Sequence, residues 1–206
     1  MSASIRRSSA ALAAALLLAV VVADASASHF RLSAQNFRAV WPRLESVGSA
    51  ETVSCPMTIE GSFHSATVAK VVGALIGYVT RASIASGGCT GGRATVGQEA
   101  LPWHLSYSGF TGTLPSISRV RQAINGAKVV IQTATGICQF VVNTINTWHT
   151  FWNVIHGKFE SVRSDESDSI PLEGGFLCSL AGEISLRGEA TVTLPGSTTA
   201  LSVTLI

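Results

Sequence analysis

An alternation of period two from Val53 to Phe63 constrains this chain more than any other feature. Val53, Cys55, Met57, Ile59 and Phe63 fall on one side, and Ser54, Thr58, Glu60, Ser62 and His64 on the other. Successive side chains of a strand point to opposite faces, so the pattern predicts a sheet with one wet side. Shorter runs repeat it at Phe30, Leu32 and Ala34, at Trp103, Leu105 and Tyr107, and at Leu201, Val203 and Leu205. Further strands are expected within 128–131, 137–142 and 183–193. Turn signals separate these runs, among them Gly48-Ser49, Gly87-Gly88, Gly91-Gly92, Gly174-Gly175 and Pro195-Gly196. Asn125-Gly126 reads as the best hairpin turn, because both residues tolerate positive φ.

Two stretches admit a second reading. Val68, Val71, Val72, Leu75, Ile76 and Val79 have helical spacing, but Gly73 and Gly77 interrupt them. Each glycine costs about 1 kcal/mol in a helix relative to alanine, so a strand is expected. Trp148, Phe151, Trp152, Ile155 and Phe159 would form one helical stripe, whereas Gly157-Lys158 suggests a hairpin tip. The hairpin is preferred. Nine or ten short strands with regular turns predict an all-β fold. An antiparallel β-sandwich is the first expectation, and a small β-barrel the alternative.

The first 27 residues read as a secretory signal peptide. Arg6 and Arg7 precede an uncharged run from Ala10 to Ala23, and Ala25-Ser26-Ala27 supplies small residues for cleavage. The 14-residue run is short of the roughly 20 needed to span a bilayer. Cleavage after Ala27 leaves one β-rich domain, 28–206, with no transmembrane segment expected after it. The expected location is extracytoplasmic: secreted or in the cell envelope.

Four cysteines fit that compartment. Cys55, Cys89, Cys138 and Cys178 allow three pairings, and none has the short spacing of zinc ligands. The favoured pairs are Cys55–Cys89 and Cys138–Cys178, each closing a local loop worth about 4 kcal/mol by chain entropy.

Charge and motifs narrow the function classes. After cleavage 12 basic and 11 acidic residues remain, a net charge of +1. That gives no electrostatic reason to expect nucleic acid as a partner. The chain has no Gly-x-Ser-x-Gly elbow and no His-Glu-x-x-His run, and Gly87–Gly92 lacks the lysine of a phosphate loop. Asp165, Glu166 and Asp168 form the one dense acidic group, read as a solvated loop. No metal, cofactor or catalytic residue is assigned. His104, following Trp103, is the histidine around which a histidine–carboxylate hydrolase site would be built.

The segment from Trp148 to Phe159 is the candidate ligand contact. It gathers Trp148, Phe151 and Trp152 with His149 and His156. A hairpin there would leave one aromatic face partly exposed, and exposed aromatic patches mark contact sites.

Cys89-Thr90-Gly91-Gly92, Leu101-Pro102-Trp103-His104 and Gly109-Phe110-Thr111-Gly112-Thr113-Leu114-Pro115 form a set, with Glu60–Ser65 and Ile76–Thr80. In these the chain resembles uncharacterised exported proteins of soil actinobacteria. The resemblance covers most of the mature chain and implies export and a shared β-rich fold. It brings no activity or site residues. The expected function is an exported non-enzymatic protein binding polysaccharide or cell-wall material, with a secreted hydrolase as the alternative.

Overall fold

The computed structural model describes residues 29–85, 87–113, 116–173 and 182–206. The expected signal peptide, Gly174-Gly175 and Cys178 lie outside them. Within them are sixteen strands and one short 3-10 turn. The first half holds β1 (His29–Leu32), β2 (Asn36–Val47), β3 (Thr52–Phe63), β4 (Thr67–Ala69), β5 (Leu75–Ile84) and β6 (Arg93–Val96). Next come β7 (Trp103–Thr113), β8 (Ser116–Asn125), β9 (Lys128–Gln132), β10 (Ile137–Val141) and β11 (Trp148–Ile155). The last are β12 (Lys158–Ser164), β13 (Ile170–Glu173), β14 (Glu183–Arg187), β15 (Glu189–Thr193) and β16 (Val203–Leu205). Every strand pairing is antiparallel.

Eight strands close into a barrel, in the order β2-β3-β5-β7-β8-β11-β12-β15 and back to β2. This is the barrel alternative; the sandwich, the first expectation, is corrected. The deciding contact is the pairing of Arg38–Val40 with Thr191–Thr193, which joins the two ends of the ring and removes both edges. Local alternation is the same in a sandwich and a barrel, so it does not report that closure.

A bulge between Trp41 and Leu44 lets β2 serve two sheets. Its first half closes the barrel, and its second half pairs with β14, which leads on through β13, β10 and β9 to β6. The chain before β6 then returns to β3, where Ser54 and Thr90 exchange hydrogen bonds of 3.0 and 2.8 Å. The Cys55–Cys89 disulfide lies beside that bridge. Cys138 is also disulfide-bonded, and its expected partner, Cys178, is outside the described residues.

The Asn125–Gly126 turn does not make a hairpin. β8 already has β7 on one edge and β11 on the other, so the chain leaves the barrel there and β9 joins the second sheet. The hairpin tip at 156–157 does form, between β11 and β12. His156 and Gly157 have φ of 47° and 70°, the double positive φ that a two-residue turn between twisted strands needs. The stretch 68–79 is a strand, a turn and a strand, as the glycines imply.

The barrel is filled by side chains. Phe37, Phe63, Trp152 and Phe159 form a cluster with ring centroids 5.2–5.9 Å apart. Gly61 makes room for it, since a Cβ there would lie 2.6 Å from the Phe37 ring. The small sheet β16-β1-β4 brings Phe30, Leu32, Val68 and Val203 into the same core. Apolar groups point inward, while Arg38, Glu60, Arg119, Arg121 and Arg163 sit on the outer wall, partly or fully exposed. A membrane-spanning barrel has the opposite arrangement. No helix among the described residues is long and apolar enough to cross a membrane.

Candidate functional site

The structure divides the five candidate contact residues by strand parity. Trp148 and Trp152 point into the core, each 1% exposed. Their indole N–H groups are satisfied internally, by Ser164 Oγ and Thr150 Oγ1, each at 3.2 Å. Neither indole is presented to solvent, because a strand in a closed barrel has one face toward the core and the closure covers it. His149 and Phe151 lie on the opposite, outer face and are half-buried, and His156 is exposed at the turn.

Around Phe151 the outer wall is basic. Strand pairing places Phe151 directly across from Arg121 on β8 and diagonal to Arg119. Both guanidinium groups lie against its ring, with Cζ 4.9 Å away for Arg119 and 5.6 Å for Arg121. Such cation–π contacts hold flexible arginines in place. The two arginines and Phe151 line a groove of about 170 Å³ with Ser108, Gly109, Phe110 and Thr111 of β7. The groove lies at a bulge between Tyr107 and Gly109, where β7 bends. Phe110 borders the groove, but its pairing with inward-facing Val120 puts its ring on the other face of β7, edge-on to Phe30 at 6.3 Å with Lys70 Nζ 5.4 Å away.

The two arginines differ in their partners. Arg121 Nη2 donates to Asp165 Oδ2 at 2.9 Å. Burial raises the Asp165 pKa, but hydrogen bonds from Ser167 and the Arg121 charge outweigh it and hold the carboxyl below its ordinary value. Arg119 donates its Nε to Asn153 Oδ1 at 3.1 Å, a neutral acceptor, and forms no ion pair among the described residues. Asn153 is itself held by donating to Ser161 Oγ at 2.9 Å.

The acidic group 165–168 is not a free solvated loop. Asp165 takes Arg121, Glu166 lies 3.5 Å from Arg187, and Asp168 takes His149. Asp168 Oδ1 lies 2.9 Å from His149 Nδ1, and Oδ2 accepts the His149 backbone N–H. A carboxylate only accepts, so Nδ1 carries the proton. Asp165 N–H returns the connection to His149 O at 2.9 Å. These bonds clamp the loop onto β11. Among the described residues, the His149 ring has no other hydrogen-bond partner and so meets no hydroxyl nucleophile.

Among the described residues His104 does not meet a carboxylate. It stands in an outer row with Tyr78 and His64, ring centroids 5.4 and 4.9 Å apart. His156 borders a wider cleft of about 480 Å³ at the barrel end, lined mainly by Ile117, Val154, Val203 and Leu205. Among the described residues no group of three or more histidines, cysteines or carboxylates gathers as metal ligands would.

Sequence reasoning missed Arg119 and Arg121. The alternation Arg119, Arg121 on one side and Val120, Gln122 on the other was the available signal, placing two like charges on one strand face. Fold and surface together define a side-chain-filled, disulfide-stapled antiparallel barrel whose accessible chemistry is on its outer wall. No protein family, no curated protein and no solved structure matches this chain.

Proposed function

We propose that this chain is an exported, non-enzymatic protein of the envelope or extracellular medium that binds polysaccharide or cell-wall material. The observation that carries this reading is the groove of Phe151, Arg119 and Arg121, a ring face and two forked donors on a barrel wall. Aromatic rings stack on sugar C–H faces, and guanidinium groups donate to their oxygens. Export is supported by the residue pattern at 1–27, by the disulfides and by the resemblance to exported actinobacterial proteins.

The test is co-sedimentation of the secreted protein with insoluble polysaccharides and isolated cell wall. Retention should fall in Arg119→Gln and Phe151→Ala while the circular dichroism spectrum stays that of the wild type. Equal retention of wild type and variants on every matrix rejects the groove.

The His149–Asp168 pair favours a second reading, a hydrolase in which the carboxylate orients the imidazole. Turnover of an ester, peptide or polysaccharide substrate, lost in His149→Ala and kept in Phe151→Ala, would replace the binding reading.

A further inference from the structure

We propose that the groove on the outer wall of β7, β8 and β11 takes an acidic polysaccharide, with Arg119 as the contact for a sugar carboxylate. This rests on the binding reading above and adds the chemical class of the ligand.

Three features point to an anion. Arg119 and Arg121 alternate on one strand and share one ring, so two like charges are held on the same face of β8. Side chains that repel are held together at a cost unless a counter-charge joins them. Asp165 supplies one for Arg121, and Arg119 has only the neutral Asn153. No carboxylate lines the groove. Moreover, Asn153 engages Arg119 at Nε and leaves its two terminal nitrogens as a fork, the geometry that matches a carboxylate bidentately.

The neighbouring surface narrows the class to a uronic acid polymer. Phe151 is a partly exposed ring on the same face as the two arginines. A uronic acid joins an apolar C–H face to a carboxylate within one sugar unit, so both features can be met at once. A polyphosphate chain without rings would use the arginines but not the Phe151 ring. The modest net charge of the chain leaves this local pair, rather than a broad basic field, to select the ligand.

The experiment measures binding of the secreted protein to polygalacturonate, to polyglycerol phosphate and to the neutral polymer dextran, each across a salt series. Polygalacturonate is expected to bind and dextran to bind at least about tenfold more weakly, as expected for loss of a hydrogen-bonded charge pair. Polygalacturonate binding should weaken as salt rises. Arg119→Gln should reduce it by at least about tenfold, and Phe151→Ala should reduce it as well. The salt series on the wild type keeps the proposal falsifiable if Arg119→Gln fails to fold. Salt-independent binding, or equal binding of dextran, overturns the charge assignment and leaves the polysaccharide reading standing. Tighter binding of polyglycerol phosphate than of polygalacturonate overturns the uronic acid assignment in favour of a phosphate polymer. Binding of none of the three overturns this proposal, and retention on the insoluble matrices decides the broader reading separately.

Discussion

Ser54 and Thr90 join the two ends of the second sheet by a pair of backbone hydrogen bonds, and the Cys55–Cys89 disulfide covalently ties the residues beside them. Thirty-four positions separate the two cysteines, and the bridge anchors the approach to β6 onto the barrel strand β3. The barrel strands β7, β8, β11 and β12 pair independently of that bridge.

Removing this disulfide should therefore loosen one sheet more than the other. The variant Cys55→Ala/Cys89→Ala is expected to lose about 2–4 kcal/mol of stability. Hydrogen exchange should quicken in β6 and β9 before it does in β8 and β11. Uniform acceleration across all strands would show that the two sheets open as one unit.

Neighbours on β11 should behave oppositely. Trp152→Ala empties the centre of the Phe37, Phe63 and Phe159 cluster and should cost about 3–5 kcal/mol. Phe151→Ala, on the outer face, should change stability by less than about 1 kcal/mol while weakening ligand retention. Chemical denaturation of both variants checks the contrast, and similar losses would contradict the assigned parity.

The Arg121–Asp165 pair predicts a pH dependence with a definite sign. The Asp165 carboxyl is held below its unfolded value, net of the burial that opposes this. Its contribution is full above the unfolded pKa of about 4 and is lost as pH falls through the lower folded value. Between about pH 4 and pH 2, wild-type stability should fall more steeply than that of Asp165→Asn. Parallel profiles would remove Asp165 from the acid response.

The turn at His156 offers a stabilising change. Its φ of 47° is a region that asparagine adopts more readily than histidine. His156→Asn should raise stability by up to about 1 kcal/mol, read as a shift in the denaturation midpoint at constant slope. A lower midpoint would mean that the imidazole makes a contribution at the barrel end that outweighs the strain.

The strands at 53–63 and 103–107 could be read from alternation, with one correction: Ser54, expected on the wet side, is buried where Thr90 bridges to β3. The segment 148–159 shows where such reading stops. Its aromatics fit a helical stripe or a hairpin, and even as a hairpin the sequence does not say which face is covered. That depends on residues far away, including Phe37 and Phe63, which pack against Trp152. The same distance hides the groove: Thr111, Arg119 and Phe151 come from three strands whose register is set by pairing, not by spacing along the chain.

By itself the sequence determined that the chain is β-rich, where most of the inward and outward positions fall, and which local turn at 156–157 is used. Those properties follow from period-two alternation and the φ preferences of single residues, which act over a few positions. Tertiary structure alone decided that the sheet closes, that β8 and β9 part at Gly126, and that the tryptophans lie inside while Phe151 and the arginines lie outside. Closure joins Arg38–Val40 to Thr191–Thr193, about 150 residues apart in the chain. Pairing across that separation gains its stabilisation only once the whole ring is assembled, so no local pattern encodes it.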